Sequence, residues 1–184
     1  MNQSKISVRY AKALYETSVE ENILDQVKKD LLLVRKVINV EGYNEMISNP
    51  VIKKSEKISI TKTIFENQVH KRTFNFLVLL LLKNRESYIE GIIRNFIKHY
   101  RDNKGIKAAE LITADSVSKE YQAKFKSILE ETFHSSIELE EKIRPELIGG
   151  FILKVEDQQY DGSISTRLSK IKKRLLETPI EKYK

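Results

Sequence analysis

The sequence predicts two parts, an antiparallel bundle of five or six α-helices followed by a small α/β (α+β) domain. Apolar residues recur at helical spacing from the beginning of the chain to about residue 102. After Gly105 their spacing shifts towards two, as it does in strands. The 184 residues are 40% hydrophobic and include only 6 Gly and 3 Pro, which is typical of a folded, helix-rich protein. We therefore predict domains at residues 1–105 and 106–184.

The helices of the first part are predicted from apolar stripes and breakers. Asn49-Pro50 separates two helical stretches, because the residue before proline is pushed out of the helical region. A new helix is expected from about Ser55. The stripes, one for each helix, are Val8, Ala11, Leu14/Tyr15 and Ser18; Leu24, Val27, Leu31, Val34 and Ile38; Ile58, Ile60/Thr61 and Ile64/Phe65; and Ile89, Ile92/Ile93, Phe96 and Tyr100.

One stretch of the first part, Phe74–Leu82, is apolar on all sides. Its unbroken apolar run of seven residues is far shorter than the roughly 20 needed to cross a bilayer. A helix that is apolar all round has no obvious water-facing side. We expect a central core helix that buries most of its surface, and one strip of it can line a groove for another chain.

The second part reads as β-α-β-β-α. Residues 108–113 alternate as a strand, and Ser118 is a plausible N-cap for the helix that follows. Two further alternating runs are separated by a turn at Pro145–Gly149. The apolar residues of the later elements are Tyr121, Phe125, Ile128/Leu129 and Phe133; Ile137, Leu139 and Ile143; Phe151, Leu153 and Val155; and Ile164, Leu168, Ile171 and Leu175.

Composition and charge limit the classes of function. Without cysteine the chain has no disulfide, thiolate metal ligand or cysteine nucleophile, and its three widely spaced histidines give no cluster at metal-ligand spacing. The first residues lack the apolar core of a secretion signal. The net charge is +7, with basic excess in residues 1–105 and 167–184 and acidic excess in residues 106–166. This asymmetry favours a charged partner, which could be nucleic acid, an anionic membrane or an acidic protein.

The stretch "ELIGGFILKVEDQQYDGSIS" contains two candidate chemical motifs, and both read better as turns. Gly149-Gly150 precedes a strand and lacks the spaced glycines or Lys-Ser ending of a phosphate loop. Asp161-Gly162-Ser163 lies where a nucleophile elbow would, but the G-x-S-x-G frame is missing and no histidine follows Ser163. We therefore predict no catalytic residue, no metal site and no cofactor, and assign all five residues to structural turns.

The basic stretch "RLSKIKKRLL" allows three interpretations. Lys170, Lys173 and Arg174 lie on the side of the helix away from the Ile/Leu stripe. This side is a solvated helix face, a surface for an acidic protein, or a site for nucleic acid or membrane. Basic residues are not interleaved with aromatic ones, which disfavours a stacking platform for nucleic acid.

Three stretches together resemble the delta subunit of F-type ATP synthases, the counterpart of the mitochondrial oligomycin-sensitivity-conferring protein. "RYAKALYE" (Arg9–Glu16) resembles the first helix of that family, and "NFLVLLLLKNR" (Asn75–Arg85) resembles its fifth. Residues 148–175 resemble its C-terminal signature of paired glycines, a strand, Asp-Gly-Ser and then Arg-Leu. The resemblance extends over nearly the whole chain in the same order.

The resemblance implies a six-helix N-terminal bundle that binds the N-terminal helix of an ATP synthase alpha subunit between its first and fifth helices. It also implies a C-terminal domain that holds the b subunits of the peripheral stalk. The chain would then be a non-catalytic stator element at the cytoplasmic face of the bacterial inner membrane, attached to the membrane only through the complex and binding no nucleic acid. The competing class is a basic helical nucleic-acid-binding or regulatory adaptor.

From the resemblance we assign candidate residues to each partner. The alpha helix is expected at Tyr10, Ala13, Leu14, Leu79 and Lys83, and the b subunits at Leu168, Lys170, Ile171, Lys173 and Arg174.

Overall fold

The fold is of the mixed α+β kind, with α-helices first and a small sheet after them. The computed structural model describes residues 5–40 and 42–177, and side chains as far as Arg174. The chain divides into two compact units, Met1–Tyr100 and Arg101–Lys184, which we call the first and second unit. Within the described residues the helices are α1 (Lys5–Glu20), α2 (Leu24–Ile38), α3 (Tyr43–Ser48), α4 (Lys54–Phe65), α5 (Lys71–Leu82), α6 (Ile89–Lys104), α7 (Lys119–Phe133) and α8 (Ile164–Glu177).

The core of the first unit is formed largely by the predicted helical stripes. The stripe predicted for α4 was wrong at Ile60, which is 39% exposed, because the buried face of that helix runs through Lys57, Thr61 and Phe65. Ala11, Leu14 and Ser18 are buried on α1, and the stripe of α2 from Val27 to Ile38 is buried as well. On α5 the buried residues are Thr73, Leu77, Leu80 and Leu81. A strip of α5 remains in contact with solvent, because Leu79 is 41% and Leu82 is 50% exposed. The expectation that most of this helix is buried and one strip is left open is confirmed.

The second unit contains a four-stranded mixed sheet. Its strands are β1 (Ile106–Thr113), β2 (Ser136–Ile143), β3 (Phe151–Val155) and β4 (Gln158–Asp161), in the order β2-β1-β3-β4. β1 pairs in parallel with β2 and antiparallel with β3, and β3 pairs antiparallel with β4. The helix α7, which connects the two parallel strands, covers one face of the sheet through Phe125, Leu129 and Phe133.

The predicted order β-α-β-β-α was wrong in one respect, because it omitted β4. All four residues of this strand are exposed, and their side chains are mainly polar, so they carry no alternating apolar signal. The strand forms only because β3 provides an edge for it across the turn at Glu156-Asp157. The predicted N-cap at Ser118 is confirmed, since its side chain accepts a hydrogen bond from the Tyr121 N–H at 3.5 Å.

Candidate partner-binding surfaces

A groove of about 240 Å³ runs between α1 and α5. We call it the α1–α5 groove. Its lining is mostly apolar and comes from both helices, with polar groups at one end. The residues are Ala13, Leu14 and Thr17 of α1 and Arg72, Asn75, Phe76 and Leu79 of α5.

The residues that the sequence assigned to the alpha helix occupy different positions at this groove. Ala13 is exposed and Leu79 is 41% exposed, so both offer surface to a ligand, whereas Leu14 is only 3% exposed and lies in the floor. Tyr10 packs its ring edge-on against Phe76, with 6.3 Å between the centroids, and is not part of the lining. Lys83 is exposed at the C-terminal end of α5, also outside the lining.

Four lining residues were not singled out from the sequence. They are Thr17, Arg72, Asn75 and Phe76. Arg72 is held by Glu21, whose carboxylate accepts from the Arg72 Nε at 2.9 Å. The sequence pattern could have identified Arg72 and Asn75 as lining residues. Together with Leu79 they follow one another at i, i+3 and i+7 and so share one helix face.

The N-terminal end of α5 is fixed by a buried carboxylate of α2. Asp30 is only 2% exposed, and one of its oxygens accepts both the His70 N–H and the Thr73 hydroxyl, each at 2.8 Å. Its other oxygen accepts from the Gln26 side chain at 2.8 Å. A carboxylate that accepts backbone N–H groups at a helix N-terminus stabilises that end. Asp30 therefore sets the position of the helix that forms one wall of the α1–α5 groove.

The C-terminal end of α5 is fixed from α4. The Lys54 ammonium donates to the carbonyl oxygen of Leu82 at 3.2 Å, which satisfies one of the last carbonyls of the helix. Beyond it, Lys57 and Glu86 form a buried ion pair at 2.8 Å, with side chains 6% and 14% exposed. Both ends of α5 are thus held by side chains from other helices.

In the second unit, the paired glycines and the Asp-Gly-Ser turn pack directly against each other. Gly150 has φ of +73°, and a Cβ atom there would lie 2.4 Å from the carbonyl oxygen of Gly162. A Cβ on Gly149 would lie 2.8 Å from the Ile164 side chain. Only glycine fits the conformation and the space at position 150. This confirms the prediction that the glycines allow a sharp turn and a close approach.

Ser163 caps α8. Its side chain is fully buried and accepts the Thr166 N–H at 3.3 Å. Asp161 accepts the Ser163 N–H and the Thr166 hydroxyl, each at 2.9 Å. These hydrogen bonds, chiefly those with Ser163, lower the pKa of the Asp161 carboxyl. The predicted turn and N-cap at 161–163 are confirmed.

The surface of α8 combines an apolar stripe with basic residues. Ile164, Leu168 and Ile171 are 42%, 51% and 54% exposed, so the stripe predicted from the sequence leaves about half of each side chain uncovered. Lys170, Lys173 and Arg174 are exposed on the same helix. The side chain of Leu175, the fourth predicted member of the stripe, lies outside the described residues. We call Leu168, Ile171 and these basic residues the α8 surface.

Across the described residues, none of the helices has the length and apolar character needed to span a membrane. Each unit instead presents apolar side chains at its surface, one set in a groove between helices and the other along a basic helix. Exposed apolar surface rimmed by charge is typical of sites that bind other proteins. The fold and its surfaces therefore define a protein of the interaction class.

Comparison with known proteins identifies the family. Residues 6–175 match the family described as "ATP synthase delta (OSCP) subunit". The ATP synthase subunit delta of Amoebophilus asiaticus (strain 5a2) is 36% identical over 171 residues, which cover 92% of this chain and 93% of the relative. That of Cytophaga hutchinsonii is 33% identical over 181 residues, covering 98% and 99%. The chain belongs to the ATP synthase delta (OSCP) subunit family.

The fold is shared with a solved structure as well. A chain of the Toxoplasma gondii mitochondrial ATP synthase hexamer superimposes with a TM-score of 0.75 at 21% identity, covering 95% of this chain and 99% of that one. The protein is thus a delta-type subunit of an F-type ATP synthase, a structural component of its stator, and the resemblance seen in the three sequence motifs is confirmed.

Proposed function

We propose that α1 to α6 act as one six-helix bundle that binds the N-terminal helix of an alpha subunit in the α1–α5 groove. The observation that carries this proposal is the open strip of α5, where Leu79 lies exposed beside the small side chain of Ala13. An amphipathic helix laid in an apolar groove is a common mode of peptide recognition. The side chains of the described residues of this unit do not fill the groove, so a ligand helix can enter it.

The energetics suit a stator. Burying several hundred Å² of apolar surface at roughly 25 cal/mol per Å² contributes about 10–20 kcal/mol. Association costs several to about 15 kcal/mol, so the complex is tight when the helix covers enough of the groove to exceed this cost. Because both ends of α5 are already held, by Asp30 at one end and by Lys54 at the other, the groove wall does not need to be ordered during binding. Slow dissociation follows, and a stator needs it to persist over many rotor turns.

The second unit, in this proposal, holds the b subunits through the α8 surface and the acidic strand β2. The exposed stripe of Leu168 and Ile171 would pack on a stalk helix, and Lys170, Lys173 and Arg174 would pair with acidic residues at its flank. The chain then links the catalytic head to the peripheral stalk and resists torque, without chemistry of its own. It would lie at the cytoplasmic face of a bacterial inner membrane, as a peripheral part of the complex.

The groove is tested with a synthetic peptide of the alpha N-terminal helix and titration calorimetry. Ala13→Asp and Leu79→Asp each place a carboxylate in the apolar groove and should abolish measurable binding. Ile60→Asp is the matched control, because Ile60 is a large apolar residue on α4 of the first unit, is 39% exposed, and does not line the groove. Unchanged binding by both groove variants would refute this site.

The α8 surface is tested in the same way with a fragment of the b subunits. Leu168→Asp should weaken b binding strongly and leave alpha-peptide binding unchanged. Ile128→Asp on α7 is the control, since Ile128 is also a large apolar residue, 60% exposed, in the same unit. Equal effects of the two variants would show that α8 is not the contact. A charge reversal of Lys170, Lys173 and Arg174 to Glu tests the basic flank separately.

A further inference from the structure

The strand β2 forms one edge of the sheet, and its outer backbone groups face away from the other strands. The Arg144 N–H donates across to the Thr113 carbonyl of β1 at 2.7 Å, so residues of even number on β2 point their backbone groups towards β1. Ile137, Leu139, Glu141 and Ile143 therefore direct their N–H and C=O groups to the free edge. An edge strand of eight residues is a ready template for another strand.

A groove of about 490 Å³ runs along this edge, between β2 and α7. We call it the β2 groove. One wall is a face of α7 with Lys119, Gln122, Ala123 and Lys126, and the other is the strand with Ile137 and Leu139. Ile137 is 2% exposed and Leu139 is partly buried against the core, so the floor of the groove is apolar. The stems of the two lysines can cover an apolar side chain while their charges stay in water.

Two glutamates hold α7 in place over the edge. Glu130 of α7 accepts the outward Ile137 N–H at 3.1 Å. Glu141 of β2 accepts the Val117 N–H and the Gln122 amide, each at 2.7 Å. The spacing between helix and strand is therefore fixed at both ends of the groove. The outward N–H groups of Leu139 and Ile143 have no such side-chain acceptor among the contacts of the described residues.

The charges of β2 indicate what kind of strand fits. Glu138 and Glu140 point to the face of the sheet away from α7, and Glu138 pairs with Arg101 at 2.7 Å. Lys142 lies on the same face and pairs with Glu110 of β1, so Glu140 is the exposed carboxylate on this face of β2 that has no ion pair among the contacts of the described residues. A strand with a basic residue opposite Glu140 would gain an ion pair there, whereas a second copy that paired antiparallel with Glu140 opposite Glu140 would not.

We propose that an extended segment of another protein adds to the free edge of β2 as a fifth strand. Its side chains alternate, apolar ones entering the β2 groove beside α7 and basic ones lying along Glu138 and Glu140. Backbone hydrogen bonds to the edge give affinity, and the groove gives specificity for the apolar positions. This site is separate from the α8 surface. It uses the outer edge of β2, a strand that the function proposed above also assigns to the b subunits, but its test with a lysine–valine peptide does not depend on that assignment.

The test uses the full chain labelled with ¹⁵N and a seven-residue peptide of alternating lysine and valine. Binding should shift the amide signals of residues 137–143 and 119–126 in a saturable way. It should also slow hydrogen exchange of the Leu139 N–H, which becomes bonded to the added strand. A peptide of the same composition with four lysines followed by three valines should not bind. A peptide methylated on the backbone nitrogens that face β2 should bind at least about tenfold more weakly, because it lacks the donors.

Variants of the protein separate strand addition from general attraction. Ala123→Tyr fills the groove from exposed α7 and should weaken binding at least about tenfold, whereas Ser127→Tyr, exposed on the same helix outside the lining, should not. Glu140→Lys should weaken binding more than Glu146→Lys, which makes the same change of charge in the turn Pro145–Leu147. The proposal is overturned if no saturable shift occurs, if methylation has no effect, or if the paired variants behave alike. It is also overturned if the β2 amides become protected without peptide as protein concentration rises, because the occupant is then a second copy.

Discussion

Removing the buried carboxylate of Asp30 tests how the α1–α5 groove is held in place. Asp30→Ala leaves the Thr73 hydroxyl, which is fully buried, and the His70 N–H without the oxygen that accepts both. Each donor left unsatisfied in a buried or partly buried position costs about 1–3 kcal/mol. Gln26 is exposed and can turn to water. We therefore expect the first unit to lose about 3–5 kcal/mol of unfolding free energy.

Asp30→Asn separates hydrogen bonding from charge. One amide oxygen can still accept from both His70 and Thr73, and the Gln26 amide can rotate to accept from the new NH₂ group. The expected loss is therefore only about 1 kcal/mol, from the weaker hydrogen bonds of a neutral acceptor. The order of stability should be Asp, then Asn, then Ala.

The measurement is a urea titration followed through NMR signals assigned to the first unit, since two units need not unfold together. Glu90→Ala, which removes a carboxylate at an exposed position of α6 within the first unit, should shift the midpoint very little. The alpha peptide should also bind Asp30→Ala more weakly, although Asp30 does not line the groove. The reasoning fails if Asp30→Ala destabilises the first unit no more than Glu90→Ala does, or if Asp30→Asn is as destabilising as Asp30→Ala.

Three further predictions concern other contacts. Gly150→Ala should destabilise the second unit by about 2–3 kcal/mol in urea unfolding. Gly105→Ala should cost only about 1–2 kcal/mol, because Gly105 also has a positive φ but a Cβ there would enter open space. Equal losses of stability would contradict the close approach of Gly150 to Gly162. Because the pKa of Asp161 is lowered in the folded state, its carboxylate stabilises the second unit above about pH 4, and this stability is lost as the pH falls further. Asp161→Asn should therefore make the unfolding free energy of the second unit depend less on pH in the acid range. An unchanged pH dependence would show that the turn at Asp161 does not contribute to it. Lys57→Met should lower the unfolding free energy of the first unit by about 3–5 kcal/mol, because it leaves the Glu86 carboxylate buried and unpaired. Adding Glu86→Gln should restore part of the lost stability. Purely additive effects in the double variant would argue against the ion pair.

Periodicity was sufficient for most elements because a buried face repeats its apolar residues at the period of the element. The stripe of α2 and the alternation of β3 both lie in the core where the sequence placed them. Local turn chemistry was equally readable. Ser163 caps α8 through contacts within a few residues, and Asp-Gly-Ser is enough to predict them.

Contacts between distant residues could not be read from the sequence. An aspartate within the polar spacing of α2 looks like a surface residue, and nothing local shows that Asp30 bonds Thr73, 43 positions later. Lys57 and Glu86 are equally ordinary in sequence, yet they form a buried pair across 29 positions. The acidic residues of β2 include Glu141, which holds α7 through Val117 and Gln122. Such partners depend on how the helices and strands pack, which periodicity does not specify.

The exposed strip of α5 could not be predicted from the apolar run itself, but the polar residues that flank the run indicate it. Within the run itself, leucine and phenylalanine on every side give no preferred face. Arg72 and Asn75 lie before the unbroken run. At helical spacings of three and four residues they share one face of the helix with Leu79, and the same face ends at Leu82 or Lys83. Polar residues at both ends mark that face as the one exposed to solvent. Leu79 on this face is left partly exposed in the subunit alone. In the function proposed above a partner helix covers it, and Leu79→Asp is designed to remove that contact.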